Sequence, residues 1–225
     1  MTLAERLLHL RFRIDQAVHQ AGRSAGSAQL VAVSKTHPPG AIQQAMALGQ
    51  LHFGESYAQE LRDKAPVLPP ELRWHFIGRI QRNKIKYIAP HAYRVHGLTH
   101  VDQAIALAKR APGPLKVLLN IKLGGESSKV GTPPAQLSEL ADAVSAVDGV
   151  ELVGLMCIPP FTEDPADSAP YFAELAELQA QQCSRGHAMT ELSMGMSRDF
   201  PHAIAHGATW VRVGTAIFGP RESRT

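Results

Sequence analysis

The sequence contains only two cysteines among 225 residues, Cys157 and Cys183. They have no metal-ligand spacing and cannot form a disulfide framework, so we expect a reduced, cytoplasmic protein. No apolar run approaches the ~18 residues of a membrane span. The N-terminus has scattered charges where a secretory signal would have an apolar stretch. The eleven histidines show no spacing such as HExxH, so no metal site is expected.

The charged residues are not clustered either. The net charge is only +3, and no run of three or more consecutive basic residues occurs. The densest basic stretch, between Arg79 and Lys86, gives little support for nucleic-acid binding. A hydrophobic content of 44% is that of an ordinary globular protein, and the length is sufficient for one large domain.

The apolar residues form eight short runs, each followed by a helical pattern. Strands are expected near 30–34, 51–53, 74–77, 93–96, 115–121, 151–156, 190–193 and 209–213. Helices are expected near 39–49, 55–65, 81–89, 101–110, 133–147, 167–185 and 198–206, with a short final turn. An amphipathic helix over 2–22 precedes them. The pattern predicts an α/β fold, a (β/α)8 TIM barrel with an extra N-terminal helix, as a single domain over 1–225. The main alternative is a doubly wound open sheet, but the Gly-rich dinucleotide turn typical of that fold is missing.

Functional residues of such a barrel lie at the carboxyl ends of the strands and in the loops after them. Polar or small residues interrupt the pattern at these places, and we expect them to converge on one mouth. They are Lys35, Glu55, Ser56, Gly78, Asn83, Lys129, Pro159, Ser197 and Gly214. Lys35 ends the first apolar run, where a lysine is either a solvated strand end or an amine placed for chemistry.

Two C-terminal motifs, LSMGMSRD and WVRVGTAIFG, each lead from a strand into a helix. Ser197 and the pair Gly214-Thr215 would offer hydroxyl groups and helix N-terminal amides to a phosphate. In the alternative interpretation, Ser197 caps a helix and Gly214 makes a tight turn. Arg212 would point into the mouth, where its partner is either a carboxylate or a ligand atom such as a ring nitrogen.

Seven motifs occur in order along nearly the whole chain: VAVSKTHP, HFGESYAQE, WHFIGRIQRNK, ESSKVG, GLMCIP, LSMGMSRDF and VRVGTAIFG. With them the chain resembles the pyridoxal phosphate homeostasis proteins of the YggS/PROSC type, single barrels related to the N-terminal domain of alanine racemase. The resemblance implies that the cofactor is pyridoxal 5′-phosphate (PLP). It also implies an internal aldimine on Lys35.

The resemblance assigns further cofactor contacts. Ser197, Gly214 and Thr215 are expected to hold the phosphate, and Arg212 to face the pyridine nitrogen. The motifs also contain His75, Asn83 and Met194, which we include among the expected cofactor-binding residues. The alternatives are that His75 is a core residue with one hydrogen bond and that Asn83 caps a helix. Ser56 stands where the family usually has asparagine, so its polar contact would reach less far. Lys84 and Lys129 are either solvated loop lysines or additional groups that contact an anion or the aldehyde.

The resemblance predicts a role in cofactor homeostasis, which means storing, protecting or delivering PLP, with PLP-dependent apo-enzymes as candidate recipients and no substantial turnover. The alternative is an amino-acid racemase. That enzyme type needs a second base, a tyrosine from another domain, and the sequence ends at Thr225 soon after the last barrel motif. None of the four tyrosines, Tyr57, Tyr87, Tyr93 and Tyr171, lies in a matching motif. A protein-binding scaffold would leave Lys35 and the phosphate motifs unexplained.

Overall fold

The computed structural model describes residues 1–124 and 130–220 and shows a closed barrel of eight parallel strands in sequence order. The strands are β1 (Gln29–Val33), β2 (His52–Glu55), β3 (Arg73–Phe76), β4 (Ala92–Leu98), β5 (Leu115–Ile121), β6 (Val150–Cys157), β7 (Glu191–Ser193) and β8 (Trp210–Val213). Strand β8 pairs with β1 and closes the barrel. The open-sheet alternative is therefore excluded, and the predicted TIM barrel is confirmed.

The helices surround this barrel and follow the strands. They are α1 (Leu3–Gln20), α2 (Pro39–Ala47), α3 (Ala58–Lys64), α4 (Ile85–Ile88), α5 (Val101–Ala108), α6 (Leu137–Ser145), α7 (Ala169–Ser184), α8 (Phe200–Ala205) and α9 (Thr215–Phe218). No helix within the described ranges has both the length and the apolar character needed to cross a membrane.

The predicted N-terminal helix is present as α1. Thr2 and Glu5 form a reciprocal capping box at its start, which pairs two amides that the helix itself leaves unbonded. Leu7, Leu10 and Ile14 lie on its buried face, and α1 packs against α2, α8 and α9. The helix thus covers the side of the barrel where the chain's first and last strands meet.

Several helices are shorter than the apolar pattern predicts. The chain over 81–89 is split into a 3-10 turn, Arg82–Lys84, and the single turn of α4. Pro134 and Pro165 begin 3-10 turns that precede α6 and α7, and Pro170 lies in the first turn of α7. Proline lacks the amide proton that an α-helix interior needs, so it is tolerated only in the first turn.

Candidate functional site

A cavity of about 170 Å³ opens at the carboxyl ends of the strands. It is lined by Val33, Lys35, His37, Ser56, Ile77, Ile158, Met196, Ser197, Arg212, Gly214 and Thr215. Six of the nine residues predicted to bind the cofactor are among them: Lys35, Ser56, Ser197, Arg212, Gly214 and Thr215. Side chains that lie far apart in the sequence therefore meet at one mouth, as the barrel topology requires.

Lys35 lies in a tight turn that follows β1. The amide of His37 donates to the carbonyl of Ser34 at 3.0 Å and closes the turn. Thr36 has a φ of 68°, a left-handed conformation that is unfavourable for a β-branched residue. Its amide donates to Glu60 Oε2 at 2.8 Å, so a side chain from α3 holds the backbone in this conformation.

A buried polar cluster beneath this turn joins it to β2 and α3. Lys64 Nζ donates to the Ser34 carbonyl at 2.9 Å, to Glu55 Oε1 at 2.8 Å and to Glu60 Oε2 at 2.7 Å. All three ammonium protons are therefore used. Ser34 Oγ donates to Glu55 Oε1 at 2.7 Å. Ser34 and Thr36, the two residues that flank Lys35, are both hydrogen-bonded to this cluster. The cluster therefore fixes the position of the Lys35 backbone at the edge of the cavity.

Glu55 does not begin a helix, although a helix was predicted near 55–65. It is the last residue of β2, is fully buried, and its Oε2 has no hydrogen-bond partner within the described residues. Helix α3 begins only at Ala58, because the chain is still extended at Tyr57. The prediction failed because the carboxylate serves a contact across two elements, with Lys64, that local spacing does not reveal.

The buried carboxyl predicts a specific pH dependence of stability. Burial raises the pKa of Glu55 from 4.5 to about 7, although the nearby Lys64 ammonium acts in the opposite direction. The folded protein thus holds an extra proton between about pH 4.5 and 7, so the free energy of unfolding falls as pH rises through this window. Glu55→Gln should remove this component, on the order of 2 kcal/mol, from the pH dependence.

Urea unfolding of both proteins between about pH 5 and 8 measures this component. The exposed Glu71 provides a control, because Glu71→Gln should leave the pH dependence of the natural protein unchanged. An identical slope in the Glu55→Gln protein would contradict the raised pKa.

Arg212 is 4% exposed and reaches the cavity from β8. Nη1 donates to Ser193 Oγ at 2.7 Å, and Nη2 donates to the Cys157 carbonyl at 2.8 Å. Both partners are neutral, and Arg212 forms no ion pair with a carboxylate in the described part of the chain. Asp199 acts on the guanidinium only through space, so a buried Arg212 whose direct partners are neutral favours an anion or an electron-rich atom in the cavity.

The loops after β7 and β8 form another wall of the cavity, beside the lysine turn, because β8 pairs with β1. Asp199, not Ser197, is the N-cap of α8, and its carboxylate accepts from the Met196 amide at 2.6 Å. The Ser197 hydroxyl has no partner within 1–124 and 130–220, so it can contact a ligand. A Cβ added at Gly195, whose φ is 88°, would lie 2.6 Å from the Ala203 Cβ and 2.9 Å from the Phe200 Cα, so a glycine allows the loop to pass this close to α8. The alternative in which Ser197 caps the helix is therefore wrong.

Gly214 lies between β8 and the short helix α9, which begins at Thr215. A Cβ added at Gly214 would lie 3.0 Å from the Val33 carbonyl oxygen and 3.3 Å from its Cβ. A larger residue would therefore push against β1 or fill the cavity that Gly214 lines. His37, whose ring stacks on Phe218 of α9 at 4.9 Å, supports the helix from the lysine turn.

Three predicted residues do not line the cavity. His75 lies inside β3, fully buried below the mouth, and hydrogen-bonds to two other histidines. Met194 is buried in the core, while Met196, two residues later, lines the cavity. Asn83 is exposed in the 3-10 turn after β3 and caps neither that turn nor α4. A motif marks a segment of the chain, and it does not indicate which side chains of that segment point to the mouth.

Lys84 lies 5.8 Å from the centre of the Tyr87 ring, and Lys129 lies outside the described residues. The Cys157 thiol is buried, and burial raises its pKa to about 12, so it stays a neutral, unreactive thiol. Five further residues line the cavity but were missed, although all of them belong to motifs that pointed to this mouth: Val33, His37, Ile77, Ile158 and Met196.

Comparison with known proteins agrees with this architecture. The model of the alanine racemase N-terminal domain matches residues 7–222. The pyridoxal phosphate homeostasis protein of Aquifex aeolicus is 40% identical over 227 residues, which cover 99% of this chain and 100% of that protein. The protein of the same name from Pseudomonas aeruginosa is 42% identical over 225 residues, covering 98% and 96% of the two chains.

A solved structure is similar over the same length. PipY of Synechococcus elongatus, determined with PLP bound, has a TM-score of 0.83 and 37% identity, covering 97% of this chain and 100% of that one. Full-length similarity at this identity extends across every strand of the barrel. The chain therefore belongs to the pyridoxal phosphate homeostasis protein family, whose barrel is that of the alanine racemase N-terminal domain.

Proposed function

We propose that this protein binds PLP in the mouth cavity and serves in cofactor homeostasis, without substantial catalytic turnover. One observation carries the proposal: a lysine, a buried arginine and a set of small hydroxyl-bearing residues line the same cavity. PipY, a relative with PLP bound, and the names of the curated relatives support it. Storage, protection and delivery of the cofactor are all roles that such a site could perform.

The chemistry of the lining residues fits an anionic ligand. None of the eleven described lining residues is acidic, whereas Lys35 and Arg212 are basic. Ser197 and Thr215 add hydroxyl donors on the side of the cavity away from β3. A phosphate group would therefore meet donors and positive charge without a competing carboxylate. The residues present thus fit PLP, which carries a phosphate.

Each residue then has a distinct task. Bound PLP supplies an aldehyde that condenses reversibly with a primary amine, and Lys35 presents such an amine in the cavity. Ser197, Thr215 and the backbone at Gly214 would bind the phosphate, since the first amides of a helix have no partner within it. Ser56 lines the same cavity and could add one polar contact.

Arg212 would face the pyridine nitrogen and disfavour turnover. A guanidinium has only donors, so it favours the unprotonated form of a nitrogen that faces it. An unprotonated ring withdraws less charge from a reacting carbon, which weakens the chemistry that racemases and decarboxylases require. Binding and release of the aldehyde by Lys35 do not depend on that property.

The racemase alternative requires a second base on the opposite face of the substrate. None of the chain's four tyrosines is among the described lining residues. His37 is the lining imidazole, but its ring is stacked on Phe218. The geometry therefore supports cofactor handling over racemisation.

A transfer assay tests the proposal. Protein loaded with PLP, when mixed with a PLP-dependent enzyme freed of its cofactor, should restore that enzyme's activity. The same loaded protein, incubated with single enantiomers of amino acids, should produce the mirror image no faster than free PLP does. Sustained racemisation that disappears in Lys35→Ala and His37→Asn variants would instead establish the racemase.

A further inference from the structure

A file of hydrogen-bonded side chains runs through the barrel interior to Arg212. His52 Nδ1 lies 2.8 Å from His75 Nε2, and His75 Nδ1 lies 2.8 Å from His96 Nε2. His96 Nδ1 lies 2.7 Å from Ser193 Oγ, which accepts from Arg212 Nη1 at 2.7 Å. We call His52, His75, His96 and Ser193 the histidine file. It comes from four different strands, β2, β3, β4 and β7.

The imidazoles of the file are neutral near neutral pH. Burial, together with nearby positive charge, lowers the pKa of His75 and His96 well below 6.5. Burial lowers the pKa of His52 to about 4, with Arg73 and Arg94 contributing. The charged groups facing the file are Arg73, Arg94 with its partner Glu191, and Arg212. A neutral imidazole has one donor and one acceptor, so each ring can pass on a hydrogen bond in only one direction.

Arg212 sets that direction. Its Nη1 can only donate, so the Ser193 oxygen accepts, and the serine proton points to His96 Nδ1, the acceptor within reach in the described structure. His96 must then carry its proton on Nε2 and donate to His75 Nδ1. By the same logic, His75 Nε2 donates to His52 Nδ1. Every donor in the file therefore points away from Arg212.

The file does not have the geometry of a metal site. Its ring nitrogens bond to one another in sequence and do not converge on a common point. Within 1–124 and 130–220, no group of three or more potential ligand residues is arranged to hold a metal ion. The hydrogen bonds of the file instead connect it, through Ser193, to Arg212 at its upper end.

We infer that the histidine file is a positioning device that presents Ser193 as a neutral acceptor and so holds Arg212 toward the ring nitrogen of the cofactor. A carboxylate at Ser193 would hold the guanidinium equally well but would neutralise the charge that lines the cavity. An apolar side chain there would leave Nη1 without a partner. The inference rests on the proposed function, because it concerns the contact between Arg212 and PLP.

The test compares PLP with its carbocyclic analogue, in which carbon replaces the ring nitrogen. The natural protein should bind PLP about tenfold or more tightly than the analogue, since a hydrogen bond from a charged donor is lost. Ser193→Ala removes the acceptor of Arg212 with minimal change in volume, and it should reduce this preference to about twofold or less. His96→Leu, which breaks the file one residue further away, should do the same.

His96→Gln should restore most of the preference, because a glutamine amide can accept from Ser193 and donate to His75. Gln182→Leu provides a control, since Gln182 is buried outside the site, bonds to Ser138, and its loss should leave the preference intact. Circular dichroism establishes that each variant is folded. If His96→Leu does not fold, Ser193→Ala alone decides the result.

The outcomes separate the inference from the proposed function. If the natural protein does not bind PLP at all, the proposed function is wrong. If it binds PLP with a clear preference over the analogue and Ser193→Ala keeps that preference, the proposed function stands and the positioning role of the histidine file is wrong. A natural protein that binds both compounds equally would also overturn the inference, because Arg212 would then not contact the ring nitrogen.

Discussion

Lys35→Ala is expected to abolish covalent retention of the cofactor. Natural protein incubated with PLP should be yellow, and borohydride should fix one pyridoxyl group on Lys35, because this amine lies in the cavity with Arg212 and Ser197. The alanine variant should lose the label at that position entirely. Peptide mapping by mass spectrometry of the reduced protein measures the effect.

Two other lysines provide controls for this assignment. Lys84 lies against the Tyr87 ring and is not among the residues lining the cavity, so Lys84→Ala should retain the label on Lys35. Lys109, at the end of α5, is a second control of the same kind. A label found only on Lys84 or Lys129 would show that the aldehyde binds elsewhere.

Removing the phosphate from the ligand is expected to weaken binding by about 100-fold or more. Two lost hydrogen bonds to a charged group, each worth about 1.5–3 kcal/mol, account for an effect of this size. Titration of the protein with PLP and with pyridoxal, followed by visible absorbance, gives the two dissociation constants. Equal constants would show that Ser197, Gly214 and Thr215 do not form a phosphate site.

Substitutions of the residues proposed to hold the phosphate should reduce the difference in affinity between PLP and pyridoxal. Gly214→Val should weaken PLP binding strongly and pyridoxal binding less, since a side chain there meets Val33 or fills the cavity. Ser197→Ala should weaken the binding of PLP roughly tenfold and leave the binding of pyridoxal unchanged, as expected for the loss of one charge-assisted hydrogen bond. Thr162→Ala is a matched control, because Thr162 lies in the loop after β6 and not among the lining residues.

The fold was predictable because the signal for a parallel barrel is local. Strands buried on both faces are mostly apolar, as in Leu115–Ile121, where only Lys116 and Asn120 are polar, and each is followed by a helix pattern with its own period. The topology then places every strand's carboxyl end at one mouth, so Lys35, Ser197 and Gly214 were expected to meet without any knowledge of side-chain contacts.

The interactions that position these residues could not be predicted in the same way. Lys64 contacts Glu55 and Ser34, and the histidine file joins four strands whose registers no local pattern specifies. Such bonds depend on the stagger of the barrel, which shifts a side chain from the interior to the surface when it changes by one residue. His75 was consequently assigned to the mouth although it lies below it.

The backbone of Thr36 shows what this arrangement costs the protein. A glycine or asparagine would adopt a φ of 68° with little penalty, while a β-branched residue there is disfavoured by roughly 1–3 kcal/mol. Selection for thermal stability alone would therefore replace the threonine. Glycine would also broaden the conformational ensemble of the neighbouring lysine. The threonine marks a compromise between resistance to heat and the narrow distribution of positions open to the Lys35 amine.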